Sequence, residues 1–280
     1  MTLLLETARV LKVISVQQLT AVPTRQRLGE QVASLLLDAI RLREYLPGQR
    51  LPSEHELCAR LGVNRTSVRE GLRWLEYQQF IEVRRGKYGG AFVLQAPMDL
   101  ALERLRGKID DLRQLFEYRA VIEPVAAAMA AERIDDSELA RVLALHKRER
   151  EVDLTREQAR AIDVELHEII AAGSKNQYIF NAVHEIRLRL AAGLDVTGRS
   201  VTRRHESQTG HADLIRAIEK HDPVAAAAAM ERHAAATRRS IVEALAEKGV
   251  DLEGGITQDA ERSSRAPTTK WATPPTHRAG

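Results

Sequence analysis

Four residues in the C-terminal half have the types and spacing of a metal site. Asp163 and His167 stand four apart in a helical stretch, so both leave one face of it. His211 and His233 lie on two later helical stretches, each ten residues from the turn His221-Asp222-Pro223. An antiparallel pair folded about that turn brings the two imidazoles level. One carboxylate and three imidazoles suit a divalent transition metal, zinc foremost, with nickel, manganese or iron as alternatives. Open coordination positions would admit an acid ligand. The same spacing is compatible with surface or core histidines, since His146, His184, His205, His221 and His277 are scattered through the chain. Arg119, in FEYRAVIEP, faces a similar choice. An arginine turned into a bundle needs an anion, which is either a bound acid or Glu123 four residues on.

A second group of candidates lies in the N-terminal third. Arg65, Thr66, Ser67 and Arg69 open a helical stretch, RTSVREGLRWLEYQ, that follows a very short turn after LPSEHELCARLG. In a helix-turn-helix the first turn of the second helix meets base edges in the major groove. A guanidinium there bonds guanine or clamps a phosphate, and Thr66 and Ser67 are short donors for phosphates or thymine edges. Arg84, Arg85 and Lys87 sit about a glycine-containing turn, placed for the DNA backbone or minor groove.

The elements around these residues fit that use. Apolar residues recur at Leu28, Val32, Leu35, Leu36, Ala39, Ile40 and Leu42, a helical period, and Pro47-Gly48 ends it. Ser53 and Glu56 form a capping box, Gly62 suits a left-handed closing residue, and Asn64 caps the next helix. IEVRR and AFVLQ read as strands about GKYGG. The order helix, helix, tight turn, helix, hairpin is that of a winged helix-turn-helix over residues 23–96. Residues 1–22 read as a flexible arm and 97–108 as a linker. From 109 to 248 the pattern is helical throughout, with Pro124 expected to kink the first stretch. Starts are marked at Asp135-Asp136-Ser137, Thr155, Asn176, Ser200 and Asp222-Pro223. Six helices with short connections imply an antiparallel bundle. The fold class is therefore mainly α. Residues 249–280, rich in Gly, Pro, Ser, Thr and Arg, read as a disordered tail.

Composition narrows the function classes. The single Cys58 excludes a disulfide framework and any multi-cysteine zinc site, and reads as a small buried residue. No apolar run reaches the roughly 18 residues of a membrane span, and the first residues lack the order of a signal peptide, so the expected location is cytoplasmic, without a membrane partner. Net charge is +3, but residues 23–96 hold 12 Lys/Arg against 8 Asp/Glu, and 109–248 hold 21 against 24. A basic module joined to a mildly acidic one fits nucleic-acid binding by the first.

The stretch LPGQRLPSEHELCARLGVNRTSVREGLRWLEYQQFIEVRRGKYGGAFV resembles the DNA-binding domain of the GntR family of bacterial transcription regulators. The family usually has Ser at 64, Ala at 71 and often Arg at 55. The resemblance implies DNA contacts by Arg65, Thr66, Ser67, Arg69 and Gly86, with His55, Arg85 and Lys87 at the same surface, and a short palindromic operator. The later stretch, with FEYRAVIEPVAAAMAA, Asp163, His167, His211 and His233, resembles the FCD effector domain of the FadR subfamily. That resemblance implies a metal held by those four residues and an effector carboxylate held by Arg119.

The expected function is a homodimeric, ligand-responsive transcription regulator, a repressor in the first instance. Its effector would be a small organic acid or a fatty-acid-type ligand. A regulator for which the metal itself is the signal is an alternative, although the bundle holds no cysteine. A metalloenzyme fused to a DNA-binding domain is another, although Glu165 and Glu168 do not share the face of Asp163 and His167. No enzymatic activity is expected.

Overall fold

The computed structural model describes residues 25–86, 88–95, 97–151, 154–197 and 201–252. The readings for the arm, for Lys87 and for most of the tail fall outside them. The DNA-binding unit comprises α1 (Arg25–Arg41), α2 (Glu54–Leu61), α3 (Arg65–Tyr77), β1 (Ile81–Arg84) and β2 (Gly90–Val93). Ser53 and Glu56 make both bonds of the capping box on α2, and Gly62 closes it at φ +65°. Asn64 caps α3 by accepting from the Ser67 amide at 2.9 Å. The strands pair antiparallel with Ile81 opposite Val93 and Arg84 opposite Gly90. Val32, Leu36 and Ile40 of α1 meet Val68, Leu72 and Leu75 of α3 in a core closed by Ile81 and Val93. Cys58 packs at the margin of this core and is half-buried rather than buried.

The rest is helical: α4 (Met98–Arg106), α5 (Ile109–Arg133), α6 (Asp136–Glu149), α7 (Arg156–Gly173), α8 (Gln177–Asp195), α9 (Val201–Glu219) and α10 (Pro223–Ala246). Asp135, Thr155, Asn176 and Asp222 cap α6, α7, α8 and α10 by accepting backbone amides, at the starts that residue type marked. Pro124 lies inside α5, which runs unbroken past it. The stretch read as a linker differs from expectation, because it contains α4. Ala101 and Leu105 of α4 are buried with Leu112, Phe116, Leu190 and Ile241. Its apolar residues thus belong to the bundle core. Arg104 of α4 donates to the Gln78 carbonyl and lies 3.9 Å from the centre of the Phe80 ring, a cation–π contact with the DNA-binding unit.

The centre of the bundle is built around small residues. Ala126, Ala127, Ala130 and Ala131 of α5 and Ala226 and Ala229 of α10 are all buried. Helices faced with alanine pack closely, so larger side chains reach in from α7, α8 and α9. Among the described residues no helix is long and apolar enough to cross a membrane.

Gly71 of α3 shows how tightly the DNA-binding core is closed. A Cβ built there would stand 2.7 Å from Val32 Cγ1 and 3.1 Å from the Ala33 nitrogen. Alanine is the better helix former by about 1 kcal/mol, but forcing a methyl into a packed interface costs about 1–3 kcal/mol. Gly71→Ala is therefore expected to lower stability by about 1 kcal/mol, read as a lower denaturation midpoint. A midpoint that rises would show that α1 can move aside.

Candidate metal centre and nucleic-acid interface

The structure brings Asp163, His167, His211 and His233 together, with one ligand-type atom of each within 4.8 Å of the others. Asp163 and His167 are one turn apart on α7. His211 comes from α9 and His233 from α10, levelled by the His221-Asp222-Pro223 turn. His167 Nε2 and His233 Nε2 are 3.2 Å apart. His211 Nε2 is 3.3 Å from Asp163 Oδ1, and His167 Nε2 is 3.8 Å from that oxygen. Ligands about 2.0–2.1 Å from a tetrahedral zinc stand about 3.3 Å from each other. The spacings are those of atoms converging on one ion. His211 Nε2 is buried with no hydrogen-bond partner, as a metal-directed lone pair would be. The residues present fit a divalent transition metal.

Charged groups surround the imidazoles. Glu149 of α6 is 2.8 Å from His211 Nδ1, so it accepts that proton and turns Nε2 inward, as carboxylates behind metal-bound histidines do. Glu123 of α5 stands 3.6 Å from His167 Nδ1. Arg187 of α8 donates to Asp163. Burial alone would raise the Asp163 carboxyl, but Arg187 and His211 hold it well below its ordinary value. Burial, then the neighbouring His211, His167 and Arg119, push His233 well down, keeping it neutral. His211 goes the other way. Burial opposes its charge, but the neighbouring carboxylates of Asp163 and Glu149 push it up to about 9.

Glycine at 210 makes the convergence feasible. Its backbone has no special conformation, but a Cβ would lie 2.9 Å from His233 Nδ1 and 3.3 Å from its Cβ. Gly210, Glu149 and Arg187 were not found by sequence reasoning, and Glu123 was found only as the partner of Arg119, because their roles beside the histidines arise from contacts between helices distant in sequence.

Arg119 is fully buried, and its Nε donates to Glu123 Oε2 at 2.7 Å. This is the internal ion pair, so the first anion it meets belongs to the chain. Its Nη1 and Nη2 have no partner. A cavity of about 490 Å³ adjoins this four-residue cluster, lined by Asp163, His233, Arg187, Arg160 and Arg156 among others. Arg119 is not on its wall.

On the DNA-binding unit, His55, Arg65, Thr66, Arg69, Arg85 and Gly86 are exposed. Arg69 Nε bonds both oxygens of Glu54, at 3.0 and 2.9 Å, and Arg65 lies 3.8 Å from the same carboxylate. Ser67 departs from its expected place at a DNA surface. It is fully buried, and its hydroxyl donates to Asn64 Oδ1 at 3.2 Å, because the helix cap needs it there. Gly86 has φ +100°, a turn that only glycine takes without strain.

The fold and these two sites define a winged-helix DNA-binding protein with a helical domain behind it. The sequence matches the family description "Bacterial regulatory proteins, gntR family" over residues 28–93 and "FCD domain" over 114–236. It is 30% identical over 219 residues to the HTH-type transcriptional repressor NanR of Cronobacter sakazakii, covering 75% of this chain and 83% of that protein. It is 41% identical over 117 residues to the uncharacterized HTH-type transcriptional regulator Rv0494 of Mycobacterium tuberculosis. That match covers 40% of this chain and spans about half of the relative, 47%. A solved structure, Streptococcus agalactiae GntR, aligns with a TM-score of 0.42 at 30% identity, over 76% of this chain and 99% of that one. The chain belongs to the GntR family and carries an FCD domain; it is a DNA-binding transcriptional regulator, and the family is not one of enzymes.

Three expectations follow for the cluster. Glu149→Gln leaves all four ligand residues in place but weakens the acceptor behind His211. Metal affinity is expected to fall about 10–100-fold, measured by competition with a chromophoric chelator. Gly210→Ala is expected to weaken it as well, by displacing His233, and unchanged affinity in both would remove the assigned supports. The raised His211 also gives a pH dependence. A proton must leave it before Nε2 can bind a metal, so affinity should rise about tenfold per pH unit between pH 6 and 8. Calorimetry in buffers of different ionisation enthalpy should detect the released proton.

Proposed function

We propose that this regulator is a repressor of the FadR subfamily, acting as a homodimer on a short palindromic operator. A small organic acid controls its DNA affinity. The acid binds a divalent transition metal, zinc foremost, held by Asp163, His167, His211 and His233. The observation that carries the reading is the cavity beside the four ligands, where Asp163 and His233 are both cluster members and wall. An ion there leaves room for an organic ligand to complete its coordination. The same cavity weighs against the metal alone as the signal, and its arginines favour a small acid over a fatty-acid chain. Arg119, paired with Glu123 and off the wall, then supports the cluster from behind rather than gripping the acid directly.

Arg65, Thr66 and Arg69 on the first turns of α3, with His55, Arg85, Gly86 and Lys87, are assigned to DNA. The pairs of Arg65 and Arg69 with Glu54 are exposed and therefore weak, so a phosphate or guanine replaces them at little cost. Dimerisation is supported by Tyr118, Val121 and Val125, an exposed stripe at i, i+3 and i+7 of α5. Two half-sites related by two-fold symmetry double the base contacts that one small module makes.

The test begins with DNA selected from a random pool by the zinc-loaded protein. The selected site should be palindromic. Arg65→Ala and Arg69→Ala should each weaken binding by about 1–3 kcal/mol, roughly 5- to 150-fold. Short-chain hydroxy acids should change the affinity of the metal-loaded protein and leave the metal-free protein unmoved. DNA binding indifferent to every acid in the presence of bound metal would overturn the effector reading.

A further inference from the structure

The reading above leaves one end of the cavity without a task. Arg156, Arg160, Asp163 and His167 follow one another on α7 at intervals of four, three and four, so they form a single stripe on one helix face. Its C-terminal half serves the metal, and its N-terminal half is two arginines on the same cavity wall. Arg156 is the first residue of α7, where a cation opposes the dipole of its own helix. It donates instead to backbone carbonyls at and just past the C-terminal end of α8, Leu194 at 2.8 Å, Asp195 at 3.3 Å and Thr197. Arg160 donates to the Ala191 carbonyl at 3.2 Å and pairs with Asp195 Oδ1.

That carboxylate oxygen has a second guanidinium. Arg43, just past α1 in the DNA-binding unit, reaches Asp195 Oδ1 with Nη2 at 2.6 Å. Arg43 holds a left-handed φ of +63°, a conformation disfavoured for residues other than glycine. Burial, then repulsion from Arg160, push its guanidinium down to about 10 despite Asp195. One oxygen thus serves a cation of the ligand cavity and a cation of the DNA-binding unit, and the two cations repel each other.

The charge on the wall calls for more than one negative group. Five arginines stand against three carboxylates, and Arg156 is bonded to neutral carbonyls in each of its hydrogen bonds given above. A divalent metal adds two further positive charges, and a monoacid offsets one. Along the helix axis the metal-binding Asp163 lies about 4.5 Å from Arg160 and about 10 Å from Arg156.

We propose that the effector carries two acidic groups, one at the metal and the second held by Arg156 and Arg160, and that seating the second draws Arg160 off Asp195 and leaves that carboxylate to Arg43 alone. This rests on the metal-and-acid reading above. It names the ligand class, a short diacid, and the route by which its arrival reaches the DNA-binding unit.

The test uses the full-length, zinc-loaded chain and two probes with the same hydroxy-acid end, 2-hydroxyglutarate with two carboxylates and 2-hydroxybutyrate with one. Calorimetry is combined with a metal assay after titration, so that stripping of zinc is not read as binding. The diacid should bind at least about tenfold tighter, a difference of about 1.4 kcal/mol. Arg156→Gln and Arg160→Gln should bring it down to the level of the monoacid, and a diacid advantage of about tenfold that survives both would overturn their assignment. The wild-type comparison needs no variant. Equal affinities there overturn the diacid proposal and leave the metal-and-acid reading standing, whereas no binding of either acid with zinc retained overturns both. Hydrogen exchange reads the second half. The diacid should slow amide exchange over residues 41–50 in the wild type and not in Asp195→Asn. Unchanged exchange in the wild type overturns the link to Arg43.

Discussion

Charge buried inside a helical bundle is the constraint on which the rest of this structure depends. Removing a carboxylate or guanidinium from water costs several kcal/mol unless it finds a partner. The bundle resolves this by placing opposite charges against one another. Arg119 meets Glu123, Arg187 meets Asp163, and Glu149 meets His211. The first pair lies within α5 and the other two each join two helices; with Glu123 also 3.6 Å from His167 Nδ1, the polar cluster links α5 to α7, α7 to α8 and α6 to α9. Balance is incomplete at the centre. Two imidazole Nε2 atoms face each other, and His211 Nε2 has no hydrogen-bond partner. A cation would satisfy these atoms together, and this is the physical reason the cluster reads as a metal centre rather than as a set of core histidines.

Small residues make that interior accessible. The alanines of α5 and α10 bring the two helices close, and Gly210 leaves the space His233 occupies. The same economy appears in the DNA-binding unit, where Gly71 lets α3 lie directly on Val32. In both places a glycine of ordinary backbone conformation is present because a neighbouring side chain needs the volume.

The two units meet through a few polar contacts. Arg104 lies over Phe80, and Arg43 reaches Asp195. Asp195, held by Arg160 of the cavity wall and by Arg43, is the contact through which the proposed diacid would reach the DNA-binding unit.

Much of this was legible in the chain. Caps at Ser53, Asn64, Asp135, Thr155, Asn176 and Asp222 are local, since each side chain bonds an amide two or three residues away. Sequence alone therefore determined where those helices begin. The i, i+4 spacing of Asp163 and His167 and the symmetric placement of His211 and His233 about a marked turn likewise depend only on helix geometry. The remainder depended on packing. Residues 97–108 read as a connection because a short helix with two buried apolar residues has little periodic signal, and only its fit against α5, α8 and α10 makes it part of the core. Ser67 had a DNA-facing type and position, yet its bond to Asn64 and its burial turn it inward. Arg119 had two anions open to it, and the structure sets Glu123, one turn on along the same helix, 2.7 Å from its Nε while Nη1 and Nη2 have no partner. Burial, and the partners that charges find on other helices, are set by elements far apart in sequence, so no local pattern could assign them.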